Sequence, residues 1–81
     1  MASNGAELEL LLFCEGRRLG FEFKLSQEPR VTPSMRVALA DLGLERLYVV
    51  HSGDKAWPLD ERIEALPLAR ALELGAGIRG D

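Results

Sequence analysis

Residues 17–25 read RRLGFEFKL, and within them apolar side chains recur at every second position: Leu19, Phe21, Phe23 and Leu25. A period of two belongs to a β-strand that keeps one face on a core, so Glu22 and Lys24 project from the opposite face. Residues 7–14, ELELLLFC, alternate at first and then run apolar, and Glu15-Gly16 separates the two segments. Together they predict a β-hairpin. Leu8, Leu10 and Leu12 must share a face with the Leu19–Leu25 set, because the other parity divides the apolar residues between both faces. With the turn centred on Glu15-Gly16, Cys14 lies opposite Arg17, Glu9 opposite Glu22, and Glu7 faces Lys24.

Two carboxylates directly opposite on one sheet face repel, at a cost of roughly 0.2 to 1 kcal/mol. Two arrangements relieve it. A hard divalent cation such as Mg2+, which prefers oxygen ligands, turns Glu9 and Glu22 into a metal site in which Lys24 orients a water or meets charge on a phosphate. Alternatively, Lys24 bridges Glu7 and Glu22 as a salt-bridge ladder on a solvated face.

Beyond the hairpin, the polar break SQEPR precedes a helix start, with Thr32 as N-cap and Pro33 in the first helical position. The helix is expected from Pro33 to Leu42, with Met35, Ala38, Leu39 and Leu42 on one stripe and Gly43 ending it. Residues 46–50, RLYVV, form the apolar, β-branched run of a strand covered on both faces. Strand, helix, strand in this order implies parallel pairing through a right-handed crossover. HSGDKAWP is turn chemistry. LDERIEALPL fits both periods, since Leu59, Ile63 and Leu66 have helical spacing whereas Ile63, Ala65 and Pro67 alternate. The C-terminal GAGIRGD reads as disordered, its terminal Arg79-Gly80-Asp81 match to an integrin-binding tripeptide being coincidental. Three parts follow: a flexible stretch 1–6, one domain 7–68, and a partly disordered tail 69–81.

A chain of 81 residues is one domain, and a domain this small buries only about 60 to 65% of its unfolded surface. A partner would relieve its marginal stability. The 47% apolar and 28% charged residues are those of a soluble globular protein. No apolar run approaches the roughly 20 residues of a membrane span, and the N-terminal residues lack the pattern of a secretory signal, so a cytoplasmic location is expected. Cys14 is the only cysteine, which excludes an internal disulfide and a cysteine zinc cluster. A net charge of -3 disfavours nucleic-acid binding by bulk electrostatics. Yet residues 17–36 carry Arg17, Arg18, Lys24, Arg30 and Arg36 against Glu22 and Glu28, a local patch in which Arg18, Arg30 and Arg36 are the candidate phosphate contacts. His51, Ser52 and Trp57 belong to the turn: His51 has no second histidine or cysteine pair, Ser52 lacks the context of a nucleophile elbow, and Trp57 is read as packing against the sheet.

Glu22-Phe23-Lys24 on the second strand of a hairpin, with an acidic residue on the strand before it, resembles the PD-(D/E)xK nuclease superfamily. A longer match runs through GAELELLL, GRRLGFEFK, PRVTPSMRVALADLGLERLYVV and WPLDERIEALPL. These residues resemble the C-terminal nuclease-like domain of a family of bacterial and archaeal AAA-type ATPases. The resemblance implies Glu9 and Glu22 as metal ligands, Lys24 as the catalytic lysine, Mg2+ as the cofactor, and a short strand near Ile63. Glutamate stands at position 9 where the superfamily usually has aspartate, and the helix and strand that open its core have no counterpart here. The fold expected is therefore α/β, a small mixed sheet in which a β-hairpin leads through a helix crossover to a parallel strand, ββαβ(β), an incomplete restriction-endonuclease-like core.

Without those elements, residues 8–14 form an exposed apolar edge strand, and Leu11 and Phe13 lack a covering helix. A homodimer burying this strand is expected, with an ATPase or another protein as the partner the resemblance implies. Two functions compete. One is a non-catalytic interaction or regulatory module; the other is a magnesium-dependent nuclease cleaving phosphodiesters.

Overall fold

Glu15 and Gly16 both take positive φ, 53° and 80°, which is what a two-residue hairpin turn matched to strand twist requires. The structure, a computed structural model, describes residues 10–26 and 28–79, with side chains through Leu74. β1 (Leu10–Cys14) and β2 (Arg17–Phe23) pair antiparallel across that turn, Leu10 with Phe21, Leu12 with Leu19 and Cys14 with Arg17. This is the register demanded by parity over the described pairs.

Thr32 caps α1 (Pro33–Asp41): its hydroxyl accepts from the Met35 N–H at 3.4 Å, and Pro33 needs no partner in the first turn. Leu42 is the C-cap. Gly43 at φ 63° then turns the chain so that the Leu44 N–H donates to the Leu39 carbonyl at 3.0 Å, the bond that closes a Schellman motif. β3 (Arg46–His51) returns parallel to β2, Leu47 beside Gly20 and Val49 beside Glu22. β5 (Ile63–Pro67) pairs parallel with β3, and the two-residue β4 (Trp57–Pro58) pairs antiparallel with β5. The five strands are ordered β1-β2-β3-β5-β4. Pro58 sits on an edge strand, where its missing N–H costs least.

Parity then sorts the core into two layers. Leu47, Val49 and Ile63 point to the face that Met35 and Ala38 of α1 cover. Phe21, Val50 and Leu66 point to the other, where Ala71 covers them, with Leu68 and Leu74 packed alongside. These three belong to α2 (Leu68–Arg79). A small mixed α/β sheet with a helix on each face is thus the architecture.

Two expectations need correction. Most of the segment 69–81, read as a tail, is α2: Leu68, Ala71 and Leu74 recur at helical spacing and close the second layer. The HSGDKAWP segment ends in β4, because Trp57 aligns with Ala65 and extends the sheet. The ambiguous LDERIEALPL resolves as strand β5 around Ile63. Among the described residues no helix is long and apolar enough to cross a membrane.

Met35 is fully buried between α1 and the sheet, whereas Leu72 on α2 is 66% exposed. Met35→Ala is expected to lower the unfolding free energy by about 2 to 5 kcal/mol and Leu72→Ala by less than about 0.5 kcal/mol in urea titrations. Tyr48, the chain's one tyrosine, stacks on Phe21 with ring centroids 5.2 Å apart, and burial pushes its phenol above the ordinary value. The folded state therefore holds that proton more tightly than the unfolded chain, and the contribution is complete below about pH 10 and lost as pH rises through the folded value. Ultraviolet titration should place the phenolate transition higher in the folded protein than in urea.

Candidate functional site

The Lys24 N–H donates to the Val50 carbonyl at 2.8 Å, which continues the β2–β3 pairing one residue beyond β2. Lys24 thereby stands at the carboxyl ends of two parallel strands, the edge at which open α/β sheets most often bind ligands. Glu22, two residues earlier, points to the same face, beside Val49 and on the side that α1 covers. It is 7% exposed. Its Oε2 lies 3.7 Å from Lys24 Nζ, and the lysine side chain remains one-third exposed. The Lys24–Glu22 bridge of the salt-bridge ladder is therefore present, but its solvated setting is corrected at Glu22, which is buried because β2 is an interior strand and α1 covers this part of its face; Glu7, the ladder's other member, lies outside the described residues.

Lys24, Glu28, Arg30 and Thr32 line a cavity of about 340 Å3. Thr32 is the N-cap, so the cavity opens at the positive end of the α1 dipole, with two cationic side chains against one carboxylate on its walls. Chemically this is a pocket for an anionic group, flanked by a buried carboxylate. Sequence reasoning had assigned Lys24 and Arg30 to phosphate but gave Glu28 no role; its signal was only its place in the polar break before the helix.

The remaining candidates are dispersed. Arg18 lies opposite Phe13 near the other end of β2, about 20 Å from Lys24 at the rise of a strand. Its Nη1 donates to the Leu42 carbonyl at 2.8 Å, and its guanidinium rests 5.3 Å from the centre of the Phe13 ring. Arg36 pairs with Asp60 at 2.7 Å; the Glu61 N–H that this carboxylate accepts, with Arg36 beside it, holds Asp60 below its ordinary value. Thus Arg30 shares the cavity with Lys24, while Arg18 and Arg36 make their contacts elsewhere. Glu9, like Glu7, lies outside the described residues.

A magnesium ion needs several oxygen ligands in near-octahedral order. The described residues supply Glu22, its carboxylate beside a lysine ammonium, and no group of three or more His, Cys, Asp or Glu side chains among them converges to hold a metal. The described residues do not fit Mg2+ by themselves, and no step is routed through it.

His51, at the end of β3, is buried. Its Nδ1 accepts the Gly53 N–H at 3.0 Å, so Nε2 carries the proton that meets the Lys55 carbonyl at 2.8 Å. Trp57 packs on the imidazole with centroids 5.2 Å apart. Both ring nitrogens are spent on closing the loop, as the reading of a turn histidine required. Ser52 ties that loop to the end of β2 by donating to the Leu25 carbonyl at 2.9 Å.

No family model matches the chain, and no solved structure matches it. Two curated relatives, uncharacterised proteins of Mycobacterium tuberculosis and Mycobacterium bovis, are each 41% identical to it over 71 residues. The match covers 88% of this chain but 16% of each relative, so the chain spans about a sixth of the length of the curated relatives it matches.

The Glu22–Lys24 pair is expected to be energetically coupled. A double-mutant cycle with Glu22→Gln and Lys24→Gln should give an interaction energy of about 1 kcal/mol in urea unfolding. Additivity within about 0.3 kcal/mol would show instead that the 3.7 Å approach carries no stabilisation.

Proposed function

We propose that the chain is a non-catalytic interaction module that associates with a second copy of itself through β1. The observation that carries this reading is the exposed β1 edge: Leu10 is 40%, Leu11 38% and Phe13 60% exposed on a strand whose outer side pairs with no other described strand. Unpaired backbone and contiguous apolar side chains together make a template for another strand. Pairing two copies of β1 satisfies that edge and removes Leu11 and Phe13 from water. In the curated relatives the matching stretch is a small part of a much longer chain, which supports reading this chain as the detached relative of such a module. The likeness of its motifs to the nuclease-like domain of AAA-type ATPases supports the same reading, with an ATPase among its protein partners.

Sedimentation tests this. A dimer is expected at high micromolar concentration, and Leu11→Lys combined with Phe13→Lys should return it to monomer with little loss of fold stability, both side chains being exposed. A wild-type monomer at that concentration would contradict the reading.

A second reading, a magnesium-dependent nuclease, is favoured by one arrangement: Glu22 and Lys24 come together beside the Arg30 cavity at the strand ends. Titration with magnesium or manganese should then shift the amide signals of residues 9, 22 and 24 in the wild type and not in Glu22→Ala, with metal-dependent cleavage of DNA or RNA. Silence at millimolar metal removes it.

A further inference from the structure

At the end of β2 away from Lys24, three arginines converge on the connection between α1 and β3. Arg17 and Arg18 come from the start of β2, and Arg62 from the residue before β5. Together with Gly16, Leu39, Ala40, Gly43, Leu44 and Glu45 they line an open cleft of about 570 Å3.

Each guanidinium has a partner at the cleft. Arg18 donates to the Leu42 carbonyl and lies over Phe13. Gly43 lies beside it, its φ of 63° being a backbone angle that other residues rarely adopt. Arg62 Nη1 reaches the Leu44 carbonyl at 3.4 Å, and Arg17 pairs with Glu45 at 3.6 Å. The carbonyls are neutral, and Glu45 is the one acid lining the cleft among the described residues, so two positive charges stay uncompensated. A guanidinium has five N–H donors, and one bond to a carbonyl leaves the rest of the fork available.

We infer that this cleft binds a carboxylate-bearing peptide segment, with Arg17, Arg18 and Arg62 engaging its acidic side chains. Planar guanidinium forks match carboxylates in bidentate geometry, and Leu39 and Ala40 offer apolar contact to the neighbouring side chain of such a segment. A peptide suits the site better than a nucleic acid, because three arginines in one cleft match a few carboxylates and do not make the long basic track a phosphate backbone follows. The cleft is separate from the Lys24 cavity, and the inference does not rest on self-association.

The test is a titration of the full chain, followed by amide NMR, with a blocked acidic pentapeptide of aspartate and glutamate carrying one leucine. Saturable shifts are expected at Gly16, Arg17, Gly43, Glu45 and Arg62. Arg17→Gln with Arg62→Gln should weaken binding by about tenfold or more, whereas Arg46→Gln, paired with Glu64 elsewhere on the sheet, should leave it unchanged. If the double variant loses its fold, Arg17→Gln alone decides, since its contact is an exposed ion pair. Absence of saturable shifts overturns the inference. So do equal shifts with the asparagine and glutamine version of the peptide, binding that survives both substitutions, or a response to inorganic phosphate or oligothymidylate with the acidic peptide silent.

Discussion

The structure depends on the pairing of β2 with β3. One parallel register sets Phe21 beside Tyr48 and Phe23 beside Val50 on one face, and Gly20 beside Leu47 and Glu22 beside Val49 on the other. β3 therefore sends apolar side chains to both faces, with Leu47, Val49 and Val50 fully buried. A helix must cover each side, and the chain supplies α1 from the crossover and α2 after β5. The same register carries Glu22 out of water and brings Lys24 to the strand ends, so the placement of the candidate site follows from the packing.

Much of this was legible in the sequence. Alternation in residues 17–25 and a two-residue turn leave one hairpin register, and the described pairs adopt it. Thr32, Pro33 and Gly43 marked the limits of α1 because each meets a local backbone need that does not depend on distant contacts. The helix α2 escaped because its apolar spacing is short and runs into glycines 75 and 77, which weaken a propensity argument; it forms over the layer built by Phe21, Val50 and Leu66. The burial of Glu22 escaped for a related reason. Charge on a strand reads as exposure unless it is known that the strand is interior, and strand order is a property of the whole sheet.

The two ends of β2 differ in electrostatic character. At its carboxyl end Lys24 and Arg30 flank a cavity at the positive end of α1, beside a buried carboxylate. At its amino end Arg17, Arg18 and Arg62 gather beyond the exit of the same helix, Arg18 on the C-cap Leu42 carbonyl, Arg62 on the Leu44 carbonyl and Arg17 on Glu45, where the helix dipole favours positive charge. The basic patch read from residues 17–36 is thus not one surface but two, held apart by the length of a strand, with Arg36 committed to Asp60.

Among the described strands β1 is an open edge, on a sheet whose interior strands are paired on both sides. Amide hydrogen exchange across a dilution series tests it most directly. The account predicts slow exchange in β3 at every concentration, and fast exchange at alternate amides of β1 in dilute solution that become protected as concentration rises. Rapid, concentration-independent exchange at those amides, with β3 protected throughout, would contradict pairing between copies. Exchange in β3 as fast as in β1 would contradict the fold itself.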